Sequence, residues 1–270
     1  MGSPSELWDA VVARTASALA SGALQPIETR SEILEDAGVA FLTRVVANLE
    51  RKRLAGIERG DDFDPFLHPD PDLLVGDISE THVAVLNKFH VVEHHVLIVT
   101  RAFEEQETLL TVPDFEALRI ALDAIDGLGF YNAGRVAGAS QRHKHLQIVP
   151  TPLGEGPERT PMDRLLRREP DGPPFAHTFG RLDGGTAAEM RELYLRLLAE
   201  CGRENDPHAY NLLVTREWML LVPRTRDAWE DIAVNALGFA GALLVRSEAQ
   251  LDTLRRIGPM RLLCEVTPNV

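Results

Sequence analysis

Apolar side chains recur at helical spacing over residues 5–21 and again over 31–53, where Ile33, Leu34, Ala37, Phe41, Val45, Val46 and Leu49 would share one face. Each stretch predicts a helix. Residues 61–72 are rich in Asp and Pro and predict a loop, followed by β-type apolar runs over 82–89 and 95–100 that a polar turn joins into a hairpin. Pro113 marks the start of a further helix carrying Phe115, Leu118, Ala121, Leu122 and Ile125, which Gly127 and Gly129 interrupt before a strand over 129–132. Seven prolines between Pro150 and Pro174 exclude a regular central element, and this excursion has the composition of a lid. Beyond it the pattern predicts a helix over 187–200, strands over 210–216 and 219–222, and a helix over 235–257 stopped by Gly258-Pro259.

Strands mixed with helices, with two hairpin-like pairs, predict an α+β fold with a largely antiparallel sheet flanked by helices and a carboxy-terminal α/β extension. The expected organisation is a catalytic region over 1–155, the proline-rich excursion over 156–180, and a carboxy-terminal region over 181–270 packing on the same sheet. No repeat or low-complexity tract interrupts it.

Composition narrows the function classes. A net charge of -13 over 270 residues excludes broad binding to nucleic acid or anionic membrane, which needs clustered Lys and Arg. Two cysteines, Cys201 and Cys264, make no disulfide framework and fit a reducing compartment. With no apolar run long enough to span a bilayer, the expected location is the cytoplasm and the expected partners are small molecules, with a monomer preferred.

The chemistry concentrates between Asn132 and Gln147. Gly134, Gly138, Ala139 and Ser140 leave little bulk in a turn, so backbone N–H groups could surround an anion there. The turn runs through Gln141 into His143, His145 and Gln147, alternate positions that a strand would show to one face while Lys144, Leu146 and Ile148 point away. A neutral imidazole is a competent nucleophile toward phosphorus when one ring nitrogen is aimed and the other donates to a fixed acceptor. Asn132, Ser140 and Gln147 are uncharged donors suited to phosphoryl oxygens. The competing reading of His-x-His is a zinc site completed by histidines such as His90, His94, His95, His177 or His208, an account that leaves the Gly/Ser turn and Gln147 without a purpose.

Asn132-x-Gly134-x-x-x-Gly138-x-Ser140-x-x-His143-x-His145-x-Gln147 resembles the signature of the transferase branch of the histidine triad superfamily. The unbroken run from Ala137 to Gln147 is similar to that of the diadenosine tetraphosphate phosphorylases, or ATP adenylyltransferases; the related uridylyltransferases usually have proline where this chain has Lys144. The segments 86–89 with 94–100, 210–215 with 218–224, and 235–241 extend the resemblance over most of the chain.

The resemblance implies a histidine-triad-like fold and an ATP adenylyltransferase that cleaves diadenosine tetraphosphate with phosphate, reversibly, to ATP and ADP. It implies that His145 is the nucleophile forming an adenylyl-histidine, that the carbonyl of His143 orients its ring, and that Gln147, a third histidine in the hydrolases, disfavours water as the second nucleophile. Asn132, Gly138, Ala139, Ser140 and Gln141 fall around the α-phosphate. Lys52, in the Arg51-Lys52-Arg53 triplet, is a candidate for a phosphate contact or an ordinary solvated charge. No covalent cofactor and no dedicated metal site are expected, although Mg could accompany the polyphosphate. A sulfate-accepting transferase and a non-catalytic dinucleoside polyphosphate-binding protein remain as alternatives.

Overall fold

The structure, a computed structural model, describes residues 4–46, 64–168, 172–202 and 209–269. Lys52, its basic neighbours and His208 lie outside the described residues.

Helix α1 (Pro4–Ser21) forms as expected, but the second predicted helix is a hairpin of β1 (Thr29–Asp36) and β2 (Val39–Val46). Its two-residue turn, Ala37-Gly38, has positive φ at both positions, the geometry that lets strands return without splaying. The run rich in Ile, Val, Thr and Phe satisfied both periods, and the turn decides between them. Strand β3 (Leu74–Asp77) precedes the expected hairpin of β4 (His82–Leu86) and β5 (Val96–Thr100). Then come α2 (Val112–Ala124), β6 (Gly127–Ala133) and β7 (His145–Pro150).

The proline-rich excursion holds one short helix, α3 (Asp163–Leu166), and β8 (Thr178–Arg181) follows it. Leu153, Met162, Leu166 and Phe175 are buried in a hydrophobic cluster and anchor the described part of the excursion to the core, unlike a free lid, while Glu155, Gly156 and Pro157 are exposed. Helix α4 (Ala187–Glu200) starts on a capping box in which Thr186 and Glu189 satisfy each other's backbone N–H groups. Strands β9 (Tyr210–Val214) and β10 (Trp218–Pro223) pair antiparallel as predicted. After the small hairpin of β11 (Ala228–Trp229) and β12 (Ile232–Ala233), the predicted final helix is broken into three pieces. These are α5 (Ala236–Phe239), β13 (Ala242–Val245) and α6 (Glu248–Ile257), with α7 (Pro259–Glu265) beyond. Gly241 at φ 90° ends the first piece, and Ser247 caps the third by accepting from Gln250 N.

The main sheet runs β3-β4-β5-β7-β6-β9-β10-β8, antiparallel throughout. Helices α1, α2 and α4 share a hydrophobic cluster with one of its faces, through residues such as Leu146, Ile148, Leu212 and Met219. The other face packs Leu128, Phe130, Leu213 and Leu220 against the second sheet, β1-β2-β13, and the carboxy-terminal helices. The fold is α+β, as the pattern predicted. Among the described residues no helix is long and apolar enough to cross a membrane.

Candidate active site

Between the main sheet and the β2/β13 layer lies a cavity of about 810 Å³. Asn132 of β6 and His145 and Gln147 of β7 form part of its floor, and Gly138, Ala139, Ser140 and Gln141 reach it from the β6–β7 turn. The site opens because the β6–β7 ladder stops at Phe130–Gln147. Beyond that pair the strands part, and Gln106 bridges the gap: its Nε2 donates to Asn132 O (2.9 Å) and His145 O (3.1 Å), while its Oε1 accepts from His145 N (2.8 Å). A buried amide thus replaces the missing ladder bonds.

The turn itself is a 3₁₀ turn at Arg135–Ala137 between two glycines with positive φ, Gly134 and Gly138. A Cβ on Gly138 would come within 2.9 Å of Asn235 Cβ, and one on Gly134 within 2.6 Å of Glu107 Oε1. The nest is narrower than the composition of the turn suggested. The N–H groups of Ala137, Gly138 and Ala139 are used inside the turn, donating to Gly134 O, Arg135 O and Gly134 O, whereas those of Ser140 and Gln141 have no partner among the described residues.

His145 Nδ1 donates to the carbonyl of His143 at 2.8 Å, which fixes the tautomer and leaves the Nε2 lone pair available. Burial pulls this imidazole down to about 4, against the His143 carbonyl, which favours the protonated ring. The ring is therefore neutral at pH 7. Phe66 packs beside it, 5.0 Å between centroids.

The His143 ring does not share the cavity with His145 and Gln147, contrary to the alternation expected of a regular strand. His143 sits before β7 in an isolated bridge to Glu105, off the regular pleat, and turns its Nε2 to Thr100 O (2.7 Å) and its Nδ1 to Asp64 Oδ2 (2.8 Å). With both nitrogens engaged it acts on the site through its carbonyl. Lys144 points away from the cavity, as the alternation predicted, and is fully buried: its ammonium donates to Glu104 Oε2 (2.9 Å), Leu109 O (3.2 Å) and Asp114 Oδ2 (3.0 Å). Burial would raise the Asp114 carboxyl, but the His82 hydrogen bond and the Lys144 charge outweigh it and hold the group at about 2.

Four residues outside the motif complete the site. His95, at the entry to β5, lines the cavity and bridges Asn87 Nδ2 (3.1 Å at Nδ1) and Gln147 Oε1 (3.0 Å at Nε2). Since Asn87 donates to Nδ1, Nε2 carries the proton and donates to Gln147, whose own amide N–H groups have no other partner among the described residues. Asn211 of β9 bonds Asn132, and among the described residues Lys88 and Arg44 are the cations of the cavity lining. Sequence shows no signal for these contacts, because each depends on which strands become neighbours.

The family model for the Ap4A phosphorylase N-terminal domain matches residues 1–168, and that for the ATP adenylyltransferase C-terminal domain matches residues 171–268. The chain belongs to the Ap4A phosphorylase family. It is 29% identical to diadenosine 5',5'''-P1,P4-tetraphosphate phosphorylase 2 of Saccharomyces cerevisiae over 71% of each chain. To Protein APA1 of the same yeast it is 26% identical, covering 92% of this chain and 89% of that one. The crystal structure of yeast Ap4A phosphorylase Apa2 superposes with a TM-score of 0.82 at 24% identity, and its complex with Ap4A with 0.81 at 25%, each over 98% of both chains. The histidine-triad-like fold expected from the motif agrees with these matches.

Proposed function

We propose that this chain is an ATP adenylyltransferase that cleaves diadenosine tetraphosphate with inorganic phosphate, giving ATP and ADP. The His145 Nε2 lone pair attacks the α-phosphorus; the N–P bond forms as the P–O bond to the rest of the polyphosphate breaks, and ATP leaves. A phosphate oxygen then attacks the same phosphorus, the N–P bond breaks, and ADP leaves. Two in-line displacements retain configuration at phosphorus.

The observation that carries this reading is the pairing of His145 Nδ1 with the His143 carbonyl beside a cavity lined by amide donors. That bond aims the ring and stabilises the positive charge the ring gains when the N–P bond forms. Asn132, Gln147, and the Ser140 and Gln141 N–H groups would hold phosphoryl oxygens while charge redistributes, a reading supported by their residues lining the cavity. His95 keeps Gln147 oriented as a donor without placing a titratable group at its position, consistent with transfer to phosphate over hydrolysis. An Mg ion accompanying the substrate would neutralise part of the polyphosphate charge. The enzyme is read as cytoplasmic and monomeric.

The test is product chromatography after mixing the protein with diadenosine tetraphosphate. Equal ATP and ADP that require phosphate are expected, together with an adenylylated protein trapped when phosphate is withheld; His145→Ala should abolish both. AMP plus ATP without phosphate would identify a hydrolase, binding without turnover a sensor, and a sulfate-dependent product the alternative acceptor.

A further inference from the structure

Arg224 is 3% exposed, and among the described residues no carboxylate forms a direct ion pair with it, although the charge of Asp227 favours the guanidinium from farther off. A buried cation without a counter-ion in contact is costly unless fixed dipoles replace water. Here they do: Nη1 donates to Asn211 Oδ1 (2.6 Å) and Val234 O (2.9 Å), Nη2 to Arg226 O (2.8 Å), and Nε to Val266 O (3.3 Å), with the guanidinium over the Phe239 ring. None of these groups touches the cavity through Arg224 itself, but Asn211 carries the constraint onward.

Guanidinium nitrogens only donate, so the atom of Asn211 facing Arg224 is its oxygen and the opposite end of that amide is the NH₂. That NH₂ lies 2.8 Å from both Asn132 Oδ1 and Ala137 O. Asn132 Oδ1 also accepts from the backbone N–H of Ala236 at 3.0 Å, a second group that can only donate. With its oxygen engaged twice, Asn132 can offer the cavity only its NH₂. A phosphoryl oxygen there meets two N–H groups; with the amide turned over it would meet an oxygen.

We infer that Arg224 and Asn211 are positioning residues that fix which end of the Asn132 amide faces the reacting phosphate. The inference rests on the adenylyl-transfer reading above. It gives a role to residues of the carboxy-terminal matched segment, since Arg224, Asn211 and Ala236 all belong to it while Asn132 and His145 belong to the amino-terminal one. It also accounts for a buried guanidinium whose direct hydrogen-bond acceptors are uncharged oxygens.

Asn211→Asp tests it directly. The carboxylate keeps the bond to Arg224, but its second oxygen opposes Asn132 Oδ1 and Ala137 O, so Asn132 must turn over. The expected fall in kcat is on the order of 10²-fold, matching Asn132→Ala, with cooperative thermal unfolding retained. In an Asn132→Ala background the same change should produce no further fall, because the amide it orients is gone. Arg224→Lys, which keeps the charge and loses the fork, is run alongside and should follow the same pattern if N211D fails to fold. The cycle is also read as AMP affinity by calorimetry, which does not require turnover. A folded N211D with wild-type kcat and AMP affinity, or a loss that multiplies in full on top of N132A, overturns the assignment. Absence of ATP and ADP from the unmutated protein would instead overturn the proposed reaction.

Discussion

At the scale of single residues, the protonation of His145 governs the first chemical step. An unperturbed imidazole loses half its neutral form at about pH 6.5. His145 is pulled down to about 4 by burial, so its lone pair persists as the pH falls through 6 and 5 and is lost only near 4. The adenylylation half-reaction, followed without phosphate so that no acceptor titrates, should therefore be flat from pH 7.5 to about 5. An acidic limb between pH 6 and 7 in the single-turnover rate would contradict the environment described here. The motif residues were legible in sequence because they occupy one short stretch. Their helpers were not: Gln106, His95, Asp64 and Asn211 lie 39, 52, 79 and 79 positions from the residues they hold, and only strand pairing brings them there. His143 was legible as a residue but not as an arrangement, since the pleat breaks at the bridge that holds it.

At the scale of elements, one carboxylate joins the start of α2 to the start of the catalytic strand. Asp114 accepts from Thr111 N (2.6 Å) and Thr111 Oγ1 (2.8 Å) at the helix start, from Lys144 (3.0 Å) beside β7, and from His82 (3.0 Å) on β4. Lys144→Met removes the cation from a pair in which both side chains are at most 1% exposed, leaving Asp114 buried without its ammonium. The expected loss is about 3–5 kcal/mol, read from the denaturation midpoint at pH 7. The pH dependence has a definite sign. Asp114 is held below its ordinary value, so its stabilisation is complete above about pH 4 and fades as the pH falls toward 2. The variant should lose that protection and unfold at a higher pH than the wild type. A midpoint unchanged within 1 kcal/mol would mean that the buried pair does not anchor the strand. The helix start at Pro113 was readable from sequence, since proline marks the first turn. The β1–β2 hairpin and β13 were not, because apolar runs compatible with either period were decided by two small turns, at Ala37-Gly38 and at Gly241.

Across the whole molecule, the segments matched by the two family models divide one sheet between them. Strand β6 belongs to the first and β9 to the second, and they pair over five positions from Gly129–Val214 to Ala133–Tyr210. The two hydrophobic clusters ignore the division as well: Leu118, Ile148, Leu212 and Met219 share one, Phe41, Phe130, Leu213 and Phe239 the other. A fragment ending at residue 168 would expose the β6 edge and leave both clusters without the residues that the carboxy-terminal segment supplies, an unpaired apolar edge of the kind that drives aggregation. The intact chain should unfold in one transition, with tryptophan emission and far-UV ellipticity coinciding along a denaturant series. The fragment should be insoluble or lack that cooperative transition, and should bind no AMP, since Ala236 and Asn211 are needed to orient Asn132. A soluble fragment 1–168 with a sharp transition and wild-type AMP affinity would show that the amino-terminal segment builds its site alone. In that event the buried contacts between Asn132 and the carboxy-terminal segment would be incidental to binding, and the Asn132 amide would take its orientation without Asn211 and Ala236.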